Sequence, residues 1–239
     1  MDYRDFQAGA SQEHFWFKAK TGLIDYLSSV PQSNTKKILS VGVGTGEDLP
    51  TLSKLGSVYA IDIDAQALAM VPDHVVVEKK LADACNLPYP DGFFDMVAAF
   101  DVMEHVADDQ KMVDEIYRVL KPGGSYIFTV PAFNFLFSAH DRALHHYRRY
   151  NKKMVKKLFT NFTCTTLGYW LFFMFVPASI ARLATKKSTG QMFSLPALIN
   201  ALCYKVLALE NWMLRKGFKF PFGLTLYGVY KKNEAAQKG

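Results

Sequence analysis

The chain has 239 residues, half of them hydrophobic and 14% aromatic, and it carries a formal net charge of +6. This length suffices for one sizeable domain, so we interpret residues 1–239 as a single domain. The three cysteines are far apart and form no C-x-x-C pair, which argues against a disulfide framework or a zinc site and predicts a reduced, cytoplasmic compartment.

Hydrophobic periodicity predicts strands that alternate with helices in the first part of the chain. A helix is expected at residues 11–30, and five strands follow it, at 37–42, 57–62, 75–79, 94–100 and 125–130. Helical patterns between the strands lie near 46–55, 64–70 and 108–120. This alternation indicates an α/β protein with a parallel sheet, which binds ligands at the carboxyl ends of its strands.

The last part of the chain is predicted to contain two more strands separated by a long insertion. We expect a basic helix at 151–159, a sixth strand at 162–172 and a last strand near 222–232. The apolar helical insertion, at 174–220, includes a helix at about 194–216. Its apolar stripe consists of Leu195, Leu198, Ile199, Leu202, Val206, Leu209 and Met213.

The most informative motif is the glycine turn after the first strand, with Gly42, Gly44 and Gly46 at alternate positions. Glycine lets a ligand approach the main chain, and a helix N-terminus behind the turn offers unpaired N–H groups. Dinucleotide sites read G-x-G-x-x-G, whereas this turn reads G-x-G-x-G and is followed by Glu47 and Asp48. Carboxylates suit a partly cationic ligand such as S-adenosylmethionine (SAM) better than a pyrophosphate. An ordinary glycine turn is the alternative.

Acidic residues also follow the second and third strands. Asp62 ends the second strand, where a carboxylate can accept hydrogen bonds from both ribose hydroxyls of a nucleoside. The alternative role for Asp62 is to cap the next helix, although Asp64 is better placed for that. Asp83 follows the third strand and can accept a hydrogen bond from an adenine amino group. The spacing of Asp62 fits NAD and SAM equally.

Six elements in this order resemble the class I SAM-dependent methyltransferases, especially the branch of quinone and small-molecule methyltransferases. They are Val-Gly-Val-Gly-Thr-Gly at 41–46, Ala-Ile-Asp at 60–62, Asp-Ala-x-x-Leu-Pro at 83–88, Phe-Asp-Met-Val at 94–97, Glu-His-Val at 104–106 and Arg-Val-Leu-Lys-Pro-Gly-Gly at 118–124. The resemblance implies the Rossmann-like seven-stranded methyltransferase fold, with SAM as methyl donor. The residues assigned to the SAM pocket are Gly42, Gly44, Gly46, Asp62, Ile63, Asp83, Ala84 and Phe100.

The N-terminal region, residues 1–36, contains an unusually aromatic run from Glu13 to Lys20. In the resembling branch such a segment folds over the SAM pocket, so we expect a lid helix in which Trp16 contacts the substrate. Aromatic rings there would exclude water and could lie against the sulfonium. The alternative is an amphipathic helix that only packs on the sheet.

The loop after the predicted fifth strand is dense in His, Arg and Tyr, and in this fold it faces the acceptor. His140 or His146 could take a proton from an acceptor hydroxyl, and Asp141 could orient that histidine. Substrate binding is assigned to Trp16, Asp141, Arg148, Arg149 and Tyr150. Of these residues, Arg148 and Arg149 could hold a phosphate or a carboxylate. A solvated loop pinned by salt bridges is the alternative.

His105 lies where the methyl group is expected, and it is the third candidate base; packing against the cofactor is the alternative. No metal is predicted. A site built from His140, Asp141 and His146 is conceivable, but its spacing matches no standard ligand motif.

The apolar insertion is flanked by Arg182, Lys186, Lys187, Arg215, Lys216 and Lys219. This combination fits a surface that dips into an anionic bilayer, whereas Pro177 and the short apolar run argue against a membrane span. An extra core layer or a homodimer interface is the alternative.

Together these observations predict a cytoplasmic SAM-dependent methyltransferase that contacts the membrane peripherally and acts on a small-molecule or lipid-linked acceptor. A non-catalytic SAM-binding or scaffold protein and an NAD-dependent oxidoreductase are the alternatives. Nucleic acid is not expected as a partner, because no recognition module is visible.

Overall fold

In the computed structural model, residues 14–29, 36–184 and 195–234 are described. The helices are α1 (Phe15–Ser28), α2 (Leu49–Leu52), α3 (Ala65–Met70), α4 (Asp109–Val119), α5 (Ala139–Ala143), α6 (Lys152–Leu158), α7 (Phe175–Ala184) and α8 (Ala197–Arg215). The strands are β1 (Lys36–Val41), β2 (Gly56–Asp62), β3 (Glu78–Leu81), β4 (Phe94–Phe100), β5 (Leu120–Pro131), β6 (Phe162–Trp170) and β7 (Thr225–Lys232).

The strands form one seven-stranded sheet in the order β3-β2-β1-β4-β5-β7-β6. Strands β1 to β5 are parallel, and β7 runs antiparallel to both β5 and β6. The strand order reverses between β1 and β4, which creates the switch point where α/β sheets bind ligands. The predicted α/β fold with a seven-stranded sheet is confirmed.

Helices cover both faces of this sheet because its strands are apolar on both sides. On one face, α1 contributes Leu23, Ile24 and Leu27 to a core shared with α2 and α8. On the other face, α4 buries its whole apolar stripe, formed by Met112, Val113, Ile116 and Val119. Asp108 caps α4 by accepting a hydrogen bond from the Lys111 N–H.

The segment between β6 and β7 contains α7 and α8, and α8 packs against α1 through polar contacts. The Asn211 Nδ2 donates to the Ala19 carbonyl at 2.8 Å, and Arg215 donates to the Gly22 carbonyl at 3.0 Å. At the start of α1, the Phe15 N–H donates to Asn200 Oδ1 at 2.8 Å. The insertion therefore holds the N-terminal helix in place. Among the described helices, none combines the length and the apolar character needed to cross a bilayer.

Among the boundaries that differ from the sequence prediction, three have a clear local reason. The helix expected at 46–55 is limited to α2, because Gly46 has a φ of +89° and cannot continue a helix from the turn. Strand β3 starts at Glu78, three residues later than predicted, because a 3₁₀ turn occupies Asp73–Val75. Helix α8 starts at Ala197, after Pro196, and residue 194 lies outside the described residues.

Candidate active site

The glycine turn after β1 adopts backbone angles that side chains rarely allow. Gly42, Gly44 and Gly46 have φ values of +64°, +54° and +89°. A Cβ atom at Gly42 would lie 2.6 Å from Val102, in the loop after β4, so only glycine fits between the two loops. The turn and the β4 loop therefore meet at the switch point of the sheet, as predicted.

Asp62, the last residue of β2, joins two neighbouring loops through its carboxylate. Its Oδ2 accepts from the Gly44 N–H at 2.8 Å, and its Oδ1 accepts from the Asp64 N–H at 2.9 Å. Each carboxylate oxygen has a second lone pair, so Asp62 can still accept hydrogen bonds from a ligand hydroxyl. Asp64 itself caps α3 by accepting from the Gln66 and Ala67 N–H groups, which was its predicted role.

The other residues assigned to the cofactor lie at the same carboxyl edge of the sheet. Ile63 follows β2 and is 75% exposed, which is unusual for an aliphatic side chain. Asp83 and Ala84 follow β3, and the Asp83 carboxylate accepts from the Cys85 N–H at 2.8 Å. Phe100 ends β4 and is buried. These positions are the predicted ones, and the contacts of each residue with a cofactor stay a prediction.

A buried lysine at this edge was missed by the sequence analysis. The Lys20 ammonium, on α1, lies 3.1 Å from the Asp48 carboxylate and 3.3 Å from the Asp101 carboxylate. It also lies 5.0 Å from the Trp16 ring centroid. Burial alone would lower the pKa of Lys20, but the two carboxylates outweigh it and hold the pKa above its usual value. Lys20 is therefore charged, and α1 is bound to the glycine turn and the β4 loop.

Trp16 lies one helical turn before Lys20, half-buried on α1, and its ring packs edge-to-face on Phe17. The Lys20 ammonium connects α1 to Asp48, beside the glycine turn, and the lid function predicted for α1 stays a prediction. The role of Trp16 in substrate binding stays a prediction. Lys20 could have been noticed in the sequence, because a lysine four residues after Trp16 falls on the apolar face of the helix.

In the loop after β5, a fully buried carboxylate orients one histidine. Asp141 Oδ1 lies 3.0 Å from His146 Nδ1 and accepts from Arg149 Nε at 2.7 Å. Asp141 Oδ2 accepts from the Ser138 N–H at 2.9 Å. Burial would raise the pKa of Asp141, but the hydrogen bonds from His146 and Arg149 hold it below its usual range. This is the Asp–His arrangement that the sequence analysis proposed.

His146 also contacts the loop after β4. Its ring centroid lies 4.5 Å from that of His105, at nearly a right angle. One ligand atom each from Glu104, His105 and His146 lie within 4.8 Å of one another. Removal from water, followed by the neighbouring His146, lowers the pKa of His105 to about 3, so His105 is neutral near pH 7.

Glu104 is a buried acid, 1% exposed, and its Oε2 has no hydrogen-bond partner among the described residues. Burial and the nearby Asp101 raise the pKa of Glu104 well above its usual value. The sequence analysis did not include Glu104 as a site residue. The four residues Glu104, His105, Asp141 and His146 are called the histidine cluster below.

The remaining acceptor candidates have partners within the protein. Arg148 donates to the Val106 and Ala107 carbonyls at 2.9 and 2.6 Å and pairs with Asp109 at 2.9 Å. Tyr150 donates to Asp109 at 2.8 Å. These contacts tie the β5 loop to the β4 loop. Their role in acceptor binding stays a prediction.

Arg149 and His140 are the two remaining candidates in the loop after β5. Arg149 is buried and pairs with Asp141. Burial and the nearby Arg182, on α7, lower the pKa of His140 to about 4. His140 is therefore neutral near pH 7, and it is absent from the group of ligand atoms formed by Glu104, His105 and His146.

Comparison with known proteins identifies relatives of the segment that carries the glycine turn. Residues 39–128 match the family described as a methyltransferase domain. A probable S-adenosylmethionine-dependent methyltransferase of Mycolicibacterium smegmatis is 28% identical over 125 residues, which cover 52% of this chain and 48% of that protein. Demethylmenaquinone methyltransferase of Symbiobacterium thermophilum is 37% identical over 101 residues, which cover 38% of this chain and 40% of that protein.

The chain thus spans less than half the length of these curated relatives. Among solved structures, phosphoethanolamine N-methyltransferase 2 of Haemonchus contortus in complex with S-adenosyl-L-methionine has a TM-score of 0.60 at 18% identity. That match covers 98% of this chain and 60% of the other. At this identity the similarity shows the fold.

Proposed function

We propose that this chain is a SAM-dependent methyltransferase that methylates a small-molecule or lipid-linked acceptor at a membrane surface. The proposal is supported by the match of residues 39–128 to a methyltransferase domain and by the similarity of the chain to SAM-dependent methyltransferases. The observation that carries the proposal is the hydrogen bond from the Gly44 N–H to the Asp62 carboxylate. It connects the end of β2 to the positive-φ glycine turn at the switch point of the sheet. A carboxylate beside such a turn suits a nucleoside ligand without a pyrophosphate.

The residues around the Asp62–Gly44 hydrogen bond fit an adenosine with a cationic end. Asp62 can accept hydrogen bonds from ribose hydroxyls, and the exposed Ile63 beside it offers an apolar surface for a base. Asp48 and Asp101 already hold one cation, the Lys20 ammonium, so the opposite end of the pocket is acidic. When bound, SAM supplies an electrophilic methyl group.

The protein's own contribution is to hold two reactants in line and to exclude water. Helix α1 covers the glycine turn and is held there by Lys20 on one side and by Asn211 and Arg215 of α8 on the other. The acceptor is proposed to lie against the histidine cluster, which follows β4 and β5 at the same edge of the sheet. An imidazole at that position can assist the loss of a proton from the acceptor.

The proposed membrane surface is supported by an apolar stripe on the exposed face of α8. Leu198, Leu202, Leu209 and Trp212 are each more than half exposed, and their helical spacing places them on one face. The exposed Lys205 and Lys216 fall on the same stripe. Apolar side chains flanked by lysines fit an anionic bilayer, because the first enter the acyl boundary while the second meet lipid headgroups.

The two alternative functions receive less support. An NAD-dependent oxidoreductase would need a pyrophosphate beside the turn, where Asp48 lies and carries a negative charge. A non-catalytic SAM-binding protein would retain the cofactor residues, and only turnover separates it from an enzyme. Ligand binding therefore tests the oxidoreductase alternative, and turnover tests the non-catalytic one.

The test is calorimetric titration with SAM, S-adenosylhomocysteine and NADH, followed by transfer of a radiolabelled methyl group from SAM into a lipid and metabolite extract. We expect binding of the first two ligands, none of NADH, and label in an extractable product. NADH binding in place of SAM would overturn the assignment of the cofactor. SAM binding without labelled product from any fraction would leave the scaffold function as the better account.

A further inference from the structure

The histidine cluster contains a buried carboxyl oxygen that has no hydrogen-bond partner in the described part of the protein. Glu104 Oε2 is inaccessible to solvent and accepts no hydrogen bond within that part. A buried carboxylate without a partner is costly, and proteins satisfy it with a cation or a proton. The ligand set is completed by His105 and His146, whose ligand atoms lie within 4.8 Å of each other and of a Glu104 carboxylate oxygen.

The two loops that carry these residues are held in register by main-chain and side-chain bonds. The Tyr147 N–H donates to the Glu104 carbonyl at 2.8 Å, directly beside His146. Arg148 bonds to the Val106 and Ala107 carbonyls, directly after His105. The ligand atoms therefore face each other on a rigid frame, which is the condition for a preformed site.

Asp141 supplies the kind of carboxylate that usually supports a metal-binding histidine. Its bond to His146 Nδ1 fixes the ring and leaves Nε2 as the nitrogen free to bind. Histidine ligands usually have such a carboxylate on their other nitrogen, where it orients the ring and raises its basicity. Arg149 Nε and the Ser138 N–H donate hydrogen bonds to Asp141, so the carboxylate that orients His146 is itself held in place.

From this geometry we propose that Glu104, His105 and His146 bind a divalent metal ion of the Zn²⁺, Fe²⁺ or Co²⁺ class. Two imidazoles and one carboxylate are the ligand set that these ions prefer, and three protein ligands leave coordination positions open. His105 is partly exposed to solvent, so the site can be reached from outside. This set differs from the one considered in the sequence, because Glu104 and His105 replace His140 and Asp141.

The open positions give the ion a role that rests on the proposed function. An acceptor that carries a phenol or an alcohol could bind through its oxygen, and the ion would lower the pKa of that hydroxyl. The hydroxyl proton then leaves to solvent and the acceptor oxygen takes the methyl group. The electron pair of the broken sulfur–carbon bond stays on sulfur, so atoms and charge balance. His105 and His146 would then act as ligands rather than as bases.

Metal binding is tested without turnover, on the tag-free full chain, because a polyhistidine tag would itself bind these ions. The chain is freed of metal with a chelator and titrated with Zn²⁺, and Co²⁺ is added separately to record its visible absorption. We expect one Zn²⁺ per chain and a Co²⁺ spectrum that reports nitrogen and oxygen ligands. His146→Ala and Glu104→Gln should each weaken Zn²⁺ by more than about 100-fold, beyond the 10- to 100-fold loss typical of an outer residue.

The matched control is His145→Ala, which removes the exposed neighbouring imidazole and should leave Zn²⁺ affinity unchanged. SAM affinity, measured on every variant, reports whether the chain is folded and whether the proposed cofactor site is intact. Equal Zn²⁺ affinity in the parent and both ligand variants, or no uptake by a parent that binds SAM, would overturn the metal site and leave the methyltransferase proposal standing.

Discussion

The Lys20 ammonium lies 3.1 Å from the carboxylate of Asp48, so a cation from the N-terminal helix is bound to the acidic end of the glycine turn. Asp101, at the end of β4, completes the arrangement at 3.3 Å. One lysine therefore connects α1, the glycine turn and the β4 loop. Two carboxylates share one ammonium, and the site has a net negative charge even with Lys20 in place.

Replacing Lys20 by methionine should change both stability and ligand preference. Removing one partner of a buried ion pair costs about 3–5 kcal/mol in the free energy of unfolding, which urea denaturation measures. The two uncompensated carboxylates should then favour SAM, whose sulfonium is cationic, over the neutral S-adenosylhomocysteine. Titration calorimetry should show a higher ratio of SAM to S-adenosylhomocysteine affinity. Lys54→Met, at an exposed lysine, is the control; an unchanged ratio would place Lys20 away from the sulfonium.

Asp62→Ala should weaken SAM and S-adenosylhomocysteine by the same factor, because both contain the ribose. Hydrogen bonds to a charged group contribute about 1.5–3 kcal/mol, so the loss should be about tenfold or more in calorimetric affinity. Asp64→Ala is the matched control, since it removes the cap of α3 and should cost about 0.5–2 kcal/mol of stability without changing ligand affinity. If the two variants lose affinity equally, the effect is structural and Asp62 is not a ligand contact.

Much of the fold and half of the site were visible in the sequence because they depend on local patterns. The strands, the glycine turn and Asp62 lie within short segments whose periodicity and spacing are diagnostic. Lys20 was missed because its partners Asp48 and Asp101 come from distant parts of the chain. The same holds for the histidine cluster, where Glu104 meets His146 only once the two loops are in register.

Helix α8 shows a different limit of sequence reasoning. Periodicity revealed an apolar stripe, and such a stripe usually faces the core. The packed face contains the buried Leu207 and Leu214 together with Glu210 and Asn211, which bind main-chain groups of Phe172 and Ala19, while Leu202 remains exposed. Polar side chains that satisfy buried backbone groups thus share the packed face with two leucines, and a pattern of hydrophobicity does not contain that information.

Arg149→Ala should destabilise the protein rather than only weaken acceptor binding. Arg149 is buried and pairs with the fully buried Asp141, so its removal leaves an uncompensated charge that costs about 3–5 kcal/mol. Thermal unfolding should show a clear fall in melting temperature. Arg142→Ala, in the exposed part of the same loop, should not. A normal melting temperature together with a raised KM for the acceptor would instead support the predicted substrate role of Arg149.

The exposed stripe of α8 should bind anionic vesicles reversibly. Burying a leucine or tryptophan yields about 1.5–3 kcal/mol, and each nearby lysine adds about 1 kcal/mol on an anionic surface. The variant Leu202→Ser, Leu209→Ser, Trp212→Ser should therefore lose sedimentation with phosphatidylserine-containing vesicles, and high salt should release the parent. The matched control is Val77→Ser, Leu81→Ser, because both residues are equally exposed but lie at the β3 edge of the sheet. If the parent does not sediment and light scattering shows a dimer that the stripe variant abolishes, α8 is an interface between two copies of the chain. The membrane proposal would then be wrong.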